Sequence, residues 1–403
     1  MRTMTRMAAV TVACVLGVCG TLSAQPKGFN YDESKVPQYT LPDPLVMSDG
    51  SPVLDAATWK ERRRPELLEL FRKHVYGRRP HQSVQLTFTE LPEDKEAVGG
   101  KAIRQEILIR FGARSDGPSM RMLVYRPKTD QPTPVFLGLN FQGNHTVEPD
   151  PGITLNQAAA ELRAKKKLTP EELEQTRGVA SSRWPVELIV GRGYALATIF
   201  YGDIDPDFDD DFRNGVHALF PRPADQSLPA DAWGSIATWA WGLSRAVDYL
   251  ESNPTYDRKR IALIGHSRLG KTSLWAGAED ERFALVISND SGCGGAALSR
   301  RQFGETVARI NTVFPHWFCD NFNKYSGNEA ALPVDQHELI ALIAPRPVYV
   351  ASAVGDQWAD PRGEYLSLYH AAPVYRLLGT SGLEKFTPEP PAVDMPRHAG
   401  PMG

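Results

Sequence analysis

The stretch that most limits what this chain can become runs Ile261-Ala262-Leu263-Ile264-Gly265-His266-Ser267-Arg268-Leu269-Gly270-Lys271-Thr272. Four apolar residues lead into a glycine, a serine sits between polar neighbours, and helix-forming residues continue to Ala278. The pattern predicts a buried strand, a sharp turn and a helix, with one hydroxyl lifted clear of the backbone beside a helix N-terminus. Two chemistries fit these letters. As a nucleophile elbow, Gly265 lets the backbone approach closely, Ser267 attacks, and the Arg268 amide points into an oxyanion hole. The glycine usual two places after the serine is replaced by Leu269, and Gly270 follows one place later. As a phosphate loop, Gly265 to Thr272 satisfies G-x-x-x-x-G-K-[ST] in full, and Asp290, after Leu285-Val286-Ile287, stands where a magnesium-binding aspartate would.

The rest of the chain decides between them. Trp59 to Tyr76 reads as a helix with Leu67, Leu68, Phe71 and Val75 on one face. Val84 to Thr89, Ala102 to Phe111 and Met120 to Tyr125 have strand character. In the second, Ile103, Ile107, Ile109 and Phe111 alternate with Arg104, Glu106 and Arg110, which predicts half-exposed antiparallel strands. Pro134 to Phe141 and Tyr194 to Tyr201 are apolar enough to be buried central strands. Between them, residues 156 to 178 read as a charged helical insertion, with a helix start at Thr169-Pro170-Glu171-Glu172. His145 lies in a polar loop expected to help shape a site. The acidic run Asp203 to Asp211 lacks the glycine and terminal glutamate of an EF-hand loop and reads as solvated. Asp231 to Leu250 reads as an amphipathic helix with Trp233, Ile236, Trp239 or Ala240, Leu243 and Val247 inward, and Phe283 to Ser288 and Pro347 to Ala353 as further buried strands.

Antiparallel strands first, then strands and helices in alternation, predict a three-layer α/β sandwich of the α/β-hydrolase kind, with a mostly parallel central sheet. A phosphate loop follows the first strand of its domain, whereas a hydrolase nucleophile follows several strands and precedes its acid and histidine. Ser267 has the second placement.

The first residues bear on the same question. Arg2 and Arg6 precede an uncharged, mostly apolar run from Ala8 to Cys19, which predicts an export signal over residues 1–24. No later stretch reaches the ~18 uninterrupted apolar residues of a membrane span, so the expected product is exported and free of the membrane. Nucleoside triphosphates are scarce there, a second argument against the phosphate loop. Residues 25–58 read as an irregular surface arm and 59–403 as one domain with the insertion near 151–185. A formal charge of −3 gives no basic excess for nucleic acid. Beyond the signal only Cys293 and Cys319 remain, as one disulfide or two buried thiols.

A serine nucleophile needs a base, and the base an orienting carboxylate. Asp290, in Ser288-Asn289-Asp290-Ser291-Gly292, and Asp356, in Ala353-Val354-Gly355-Asp356, each end a strand where a sheet presents catalytic loops. Both stay open as the acid. Downstream of Asp356 stand His370, in an expected helix from Gly363 to Leu378, and His398 near the last residue.

Gly265 to Lys271 resembles, together with Leu137-Gly138-Leu139-Asn140-Phe141-Gln142-Gly143-Asn144-His145, Ser291-Gly292-Cys293-Gly294-Gly295-Ala296 and Trp358-Ala359-Asp360-Pro361, the glucuronoyl esterases of carbohydrate esterase family 15, bacterial branch. The resemblance spans roughly Trp59 to Glu384, and that family's G-x-S-R-x-G-K accounts for the displaced glycine. It implies cleavage of esters between 4-O-methyl-glucuronic acid on xylan and lignin alcohols, through an acyl-enzyme and with no metal or cofactor. Carried over by position, Ser267 is the nucleophile, and Arg268 stabilises the oxyanion with its amide and side chain. Lys271 binds sugar hydroxyls, Glu305 and Trp358 line the uronate pocket, and Asp290 or Asp356 is the acid. The family's histidine loop and closing helix are not recognisable after about Asp394, so an impaired, glycan-binding relative is the alternative expectation. An acetyl- or feruloyl-esterase is a third. The expected partner is a glucuronoxylan or lignin–carbohydrate ester, met by a monomer.

Overall fold

The computed structural model describes residues 25–223 and 225–380. Its strands are β1 (Leu86–Glu90), β2 (Asp94–Glu96), β3 (Ala102–Phe111), β4 (Ser119–Pro127), β5 (Thr133–Asn140), β6 (Ala195–Phe200), β7 (Tyr256–His266), β8 (Leu285–Asn289) and β9 (Val348–Ala351). They form one sheet in the order β1-β3-β4-β6-β5-β7-β8-β9, with β2 paired to β3. Pairing is antiparallel from β1 through β4 to β6 and parallel from β6 through β5, β7 and β8 to β9. That is the sheet predicted for an α/β-hydrolase.

Side-chain alternation divides the interior into two cores, one on each face of the sheet. Met122, Val124, Ala197, Ile199, Leu137 and Leu263 face the larger, under the helices Ser235–Ser252 and Arg268–Glu279. Leu123, Tyr125 and Leu196 face a smaller one with Val147, Ile153, Val186 and Val190. β5 and β7 come close because Gly138 has no side chain: a Cβ there would lie 2.6 Å from the Ile264 carbonyl oxygen.

Three sequence expectations need correction. The polar face of β3 is covered rather than solvated. Glu106 is buried and accepts from the Thr154 amide (3.1 Å) and hydroxyl (2.6 Å), and Arg104 pairs with Asp150, which also accepts from Tyr125 Oη (2.8 Å). The Arg104 guanidinium lies against Gly152, where a side chain would have to displace it. The helix Ser235–Ser252 is buried all round except at Arg245, Asp248, Glu251 and Ser252, so its polar stripe is narrow. The N-terminal arm, although irregular, is docked. Val53 is buried, Pro44 O accepts from Arg63 Nε (3.1 Å), and Pro42 O bonds the buried His337 (2.8 Å).

Other readings hold. Residues 56–76 are one helical run whose central segment Arg64–Phe71 is flanked by wide π turns, with Leu67, Leu68, Phe71 and Val75 buried. Thr169 and Glu172 form a capping box at the start of the insertion's second helix. Cys293 and Cys319 are two buried free thiols, which resolves the choice left open by spacing. Among the described residues, no helix is long and apolar enough to cross a membrane.

Candidate active site

Ser267 sits between β7 and the helix Arg268–Glu279 at φ 55° and ψ −127°. A left-handed φ at a non-glycine residue costs about 1–3 kcal/mol and persists only where the surroundings enforce it. Here the Ser267 amide is held by Asn289 O (2.9 Å), and its carbonyl accepts from the amides of Gly270 (2.8 Å) and Lys271 (3.1 Å). Gly265 is demanded by the turn, since a Cβ would fall 2.0 Å from Leu269 O. Leu269 itself is buried, and the following glycine lets the helix pass Ser291, whose Cβ would lie 3.0 Å from a Cβ at 270. Ser267 Oγ makes no hydrogen bond among the described residues. The Arg268 amide, in the first helical turn, has no intrahelical carbonyl to meet. A free hydroxyl beside unpaired amides is the geometry of acyl transfer.

Arg268 is held by an aspartate that sequence reasoning placed in solvent. Asp207, in the loop after β6, accepts from Arg268 Nη1, Tyr201 Oη (2.9 Å), Trp317 Nε1 (2.7 Å) and the His316 ring (2.9 Å). Burial pushes the Asp207 carboxyl up, but these donors outweigh it and bring it down to about 2. The Arg268 guanidinium carbon lies 4.6 Å from the Trp317 ring centre and 5.3 Å from that of Phe314, two rings stacked 3.7 Å apart. The acidic loop is therefore built inward. Asp205 is buried and accepts from Ser235 Oγ (2.5 Å), and burial raises Asp203 to about 6. Only its distal part, with Phe208, Asp209 and Asp211, is exposed.

Lys271 and Glu305 are not the surface ion pair their residue types alone would suggest. Both side chains are more than nine-tenths buried, with Nζ 3.8 Å from Glu305 Oε2 and 2.6 Å from Ser291 O. Burial raises the Glu305 carboxyl, with Lys271 and then Arg309 and Arg268 opposing. Lys271 thus faces Ser291 and Glu305, and Thr272 Oγ1 donates to Arg268 O (2.9 Å), an arrangement unlike a phosphate cradle. Trp358 is half-buried, meets Phe29 edge-on at 4.8 Å, and accepts the Glu305 amide at its carbonyl (3.0 Å).

The two candidate acids differ in what they already hold. Asp290, at φ 43°, accepts from the Ala353 amide (2.7 Å) and Asn289 Nδ2 (3.0 Å), which ties the end of β8 to the loop after β9. The Asp356 carboxylate has no hydrogen bond or ion pair among the described residues, and its charge is felt at Glu305 and Tyr31. Beneath both lies Glu364, fully buried in the first turn of the helix Pro361–Leu377. It accepts from the Gly292 amide (2.8 Å), Ser291 Oγ (3.1 Å) and Ser352 Oγ, and burial raises it to about 7.

No described histidine is bonded to Ser267. His266 is tied to Asn289 Oδ1 (2.7 Å), and His370 lies on the helix Pro361–Leu377 with its ring 6.1 Å from that of His337. His145 serves the insertion. Its ring bonds Thr176 Oγ1 (2.9 Å) and the Asn156 amide (3.3 Å), and burial lowers it to about 4. His398 and the predicted export signal lie outside the described residues. Among those described, no group of three or more His, Cys, Asp or Glu is placed to hold a metal ion.

Sequence reasoning missed Asp207, Trp317 and Glu364. The aromatic run Phe314 to Phe318 was the available signal for the second.

Known proteins resemble this chain in sequence and in fold. Residues 229–379 match the family described as fungal glucuronyl esterases. A carbohydrate esterase from an unknown prokaryotic organism is 53% identical over 371 residues, covering 91% of this chain and 85% of that protein. Two solved structures superpose with a TM-score of 0.82, each over 90% of this chain and 91% of the other. One is a promiscuous family 15 carbohydrate esterase from the marine bacterial metagenome, 52% identical. The other is a glucuronoyl esterase from Solibacter usitatus, 45% identical.

Proposed function

The chain belongs to the glucuronoyl esterases of carbohydrate esterase family 15, a carboxylic ester hydrolase acting on glucuronic acid esters, and from that premise we propose how its residues divide the work. Ser267 Oγ attacks the ester carbonyl to give an acyl-enzyme. The amide and guanidinium of Arg268 stabilise the oxyanion, a role that suits a cation already fixed by Asp207 and two aromatic faces. Lys271 and Glu305 offer buried polar groups to the sugar, and Trp358 a flat apolar face. Asp356 orients the base, because its acceptors are unspent while those of Asp290 hold the neighbouring loop. The base is a histidine downstream of Asp356. Helix-bound His370 does not suit that role, which leaves His398 as the candidate this sequence offers.

The observation that carries this reading is the strained Ser267 turn beside a fixed cation. Its test is hydrolysis of benzyl glucuronate by the full chain and by Ser267→Ala. Turnover that vanishes in the variant supports it, and equal turnover by both overturns it. The natural ester is proposed to join glucuronoxylan to lignin, and the enzyme to be exported on the strength of Arg2, Arg6 and the Ala8 to Cys19 run.

A further inference from the structure

We propose that His316 and its neighbour Trp317 are positioning residues for the reaction: they fix the carboxylate of Asp207, and through it the aim of the Arg268 guanidinium at the forming oxyanion. This inference rests on the reading of Ser267 and Arg268 given above and adds two buried side chains to it. The Asp207 carboxylate divides its donors by oxygen. Oδ1 accepts from the His316 ring Nε2 (2.9 Å) and Trp317 Nε1 (2.7 Å), and Oδ2 from Tyr201 Oη (2.9 Å) and Arg268 Nη1. Asp207 is ionised at neutral pH and only accepts, so Nε2 carries the hydrogen of that ring. With two donors on Oδ1, the carboxylate cannot turn without breaking one of them, which keeps Oδ2 toward Arg268.

The His316 ring has no other polar task. Its Nδ1 is buried without a hydrogen-bond partner among the described residues, so its side-chain bonding goes to Asp207 alone. Arg268 depends on that carboxylate in turn. Asp207 is its one ion-pair partner among the described residues, and its Nε is buried and unbonded. The Phe314 and Trp317 rings lie against the guanidinium but carry no charge to aim it. Both sides of the contact hang from one helix end. The Ser235 and Ile236 amides, in the first turn of the helix Ser235–Ser252, donate to His316 O (2.8 Å) and Trp317 O (3.2 Å). Asp205, two residues before Asp207, accepts from Ser235 Oγ (2.5 Å) and, at its carbonyl, from Trp239 Nε1 (2.7 Å). Gly234 permits the approach, since a Cβ there would lie 2.4 Å from Trp317 O. One helix therefore sets the spacing between Asp207 and the His316-Trp317 pair. A misplacement of about 1 Å can cost roughly 10²-fold in rate, so this bracing bears on turnover.

The test is kcat and KM for benzyl glucuronate in the full chain, with each variant measured alone and in an Arg268→Gln background. His316→Phe keeps a ring and removes its donor. Trp317→Phe keeps a ring beside Arg268 and removes the other donor on Oδ1, so the proposal does not depend on either variant folding. Each is expected to lower kcat roughly tenfold, as loss of a hydrogen bond to a charged group does, with KM changed less than about twofold. His316→Gln, whose amide nitrogen replaces the ring donor, is expected to regain most of that loss. In the Arg268→Gln background neither substitution should lower kcat further, because the bracing then has no cation to aim. An undiminished loss in that background, or no loss in either single variant, overturns the positioning and leaves the pair structural. Arg268→Gln with unchanged kcat overturns the oxyanion reading and the positioning with it. The series is repeated on 4-nitrophenyl acetate. The same pattern there, without turnover of benzyl glucuronate, leaves the positioning standing while the uronate reading falls, and no turnover of either ester overturns both.

Discussion

Two buried carboxylates flank the Ser267 turn and meet opposite fates. Asp207, on the side of β6, is surrounded by a guanidinium, an indole, an imidazole and a phenol, and is held down to about 2. Glu364, on the side of β8 and β9, meets only hydroxyls and one amide, and burial drives it up to about 7. A cation and several donors offset desolvation, whereas neutral donors alone do not. One flank therefore carries a permanent charge that fixes Arg268. The other holds a group that titrates near neutrality under the loops bearing Asp290 and Asp356. On the proposed division of work, electrostatic stabilisation falls to the rigid flank and proton handling to the more responsive one.

The sharpest way to break this contrast is at the acids themselves. Asp356→Asn is expected to lower kcat on the order of 10⁴-fold, as loss of an orienting carboxylate does, while Asp290→Asn costs less than about tenfold. The reverse order, measured on benzyl glucuronate, would make Asp290 the acid. Next comes Asp207→Asn, which releases Arg268 and should lower kcat by roughly 10²-fold, comparable to removal of one oxyanion donor. Asp207 has its folded value below the unfolded one, so its contribution of about 2 kcal/mol is present above pH 3.8 and fades as pH falls through about 2. Acid-unfolding midpoints of the two proteins check that sign. Glu364 is expected to affect stability rather than turnover. Its folded value lies above the unfolded 4.5, so stability falls as pH rises from there to about 7 and then levels, by at most about 3 kcal/mol. Glu364→Gln removes that dependence, so the melting temperature of the variant relative to the parent should climb between pH 5 and 8. A flat difference would return Glu364 to an ordinary structural role.

The sharp turn at Ser267, its strand and helix, and the passage from antiparallel to parallel strands were legible because each leaves a local signal. Glycine placement marks the turn, and period-two or continuous apolar runs mark strands. Asp207 was illegible because its meaning lies in partners far along the chain, Arg268 and His316-Trp317, while its own neighbours Asp209, Asp210 and Asp211 give the segment the look of a solvated loop. Likewise, Arg104 and Glu106 looked outward until the insertion supplied Asp150 and Thr154. Glu364 reads as an ordinary first-turn glutamate at a helix start, and only the fold buries it.

The arm's fastenings also set an order of assembly. Glu33 is bonded to residues 268 and 329 positions later, and Gln25 to one 330 positions later. Contacts of such sequence separation form only after large loops have closed, and during synthesis their later partners emerge last. The first residues of the described chain are therefore among the last to find their places. Until then the side of Trp358 that meets Phe29 is uncovered.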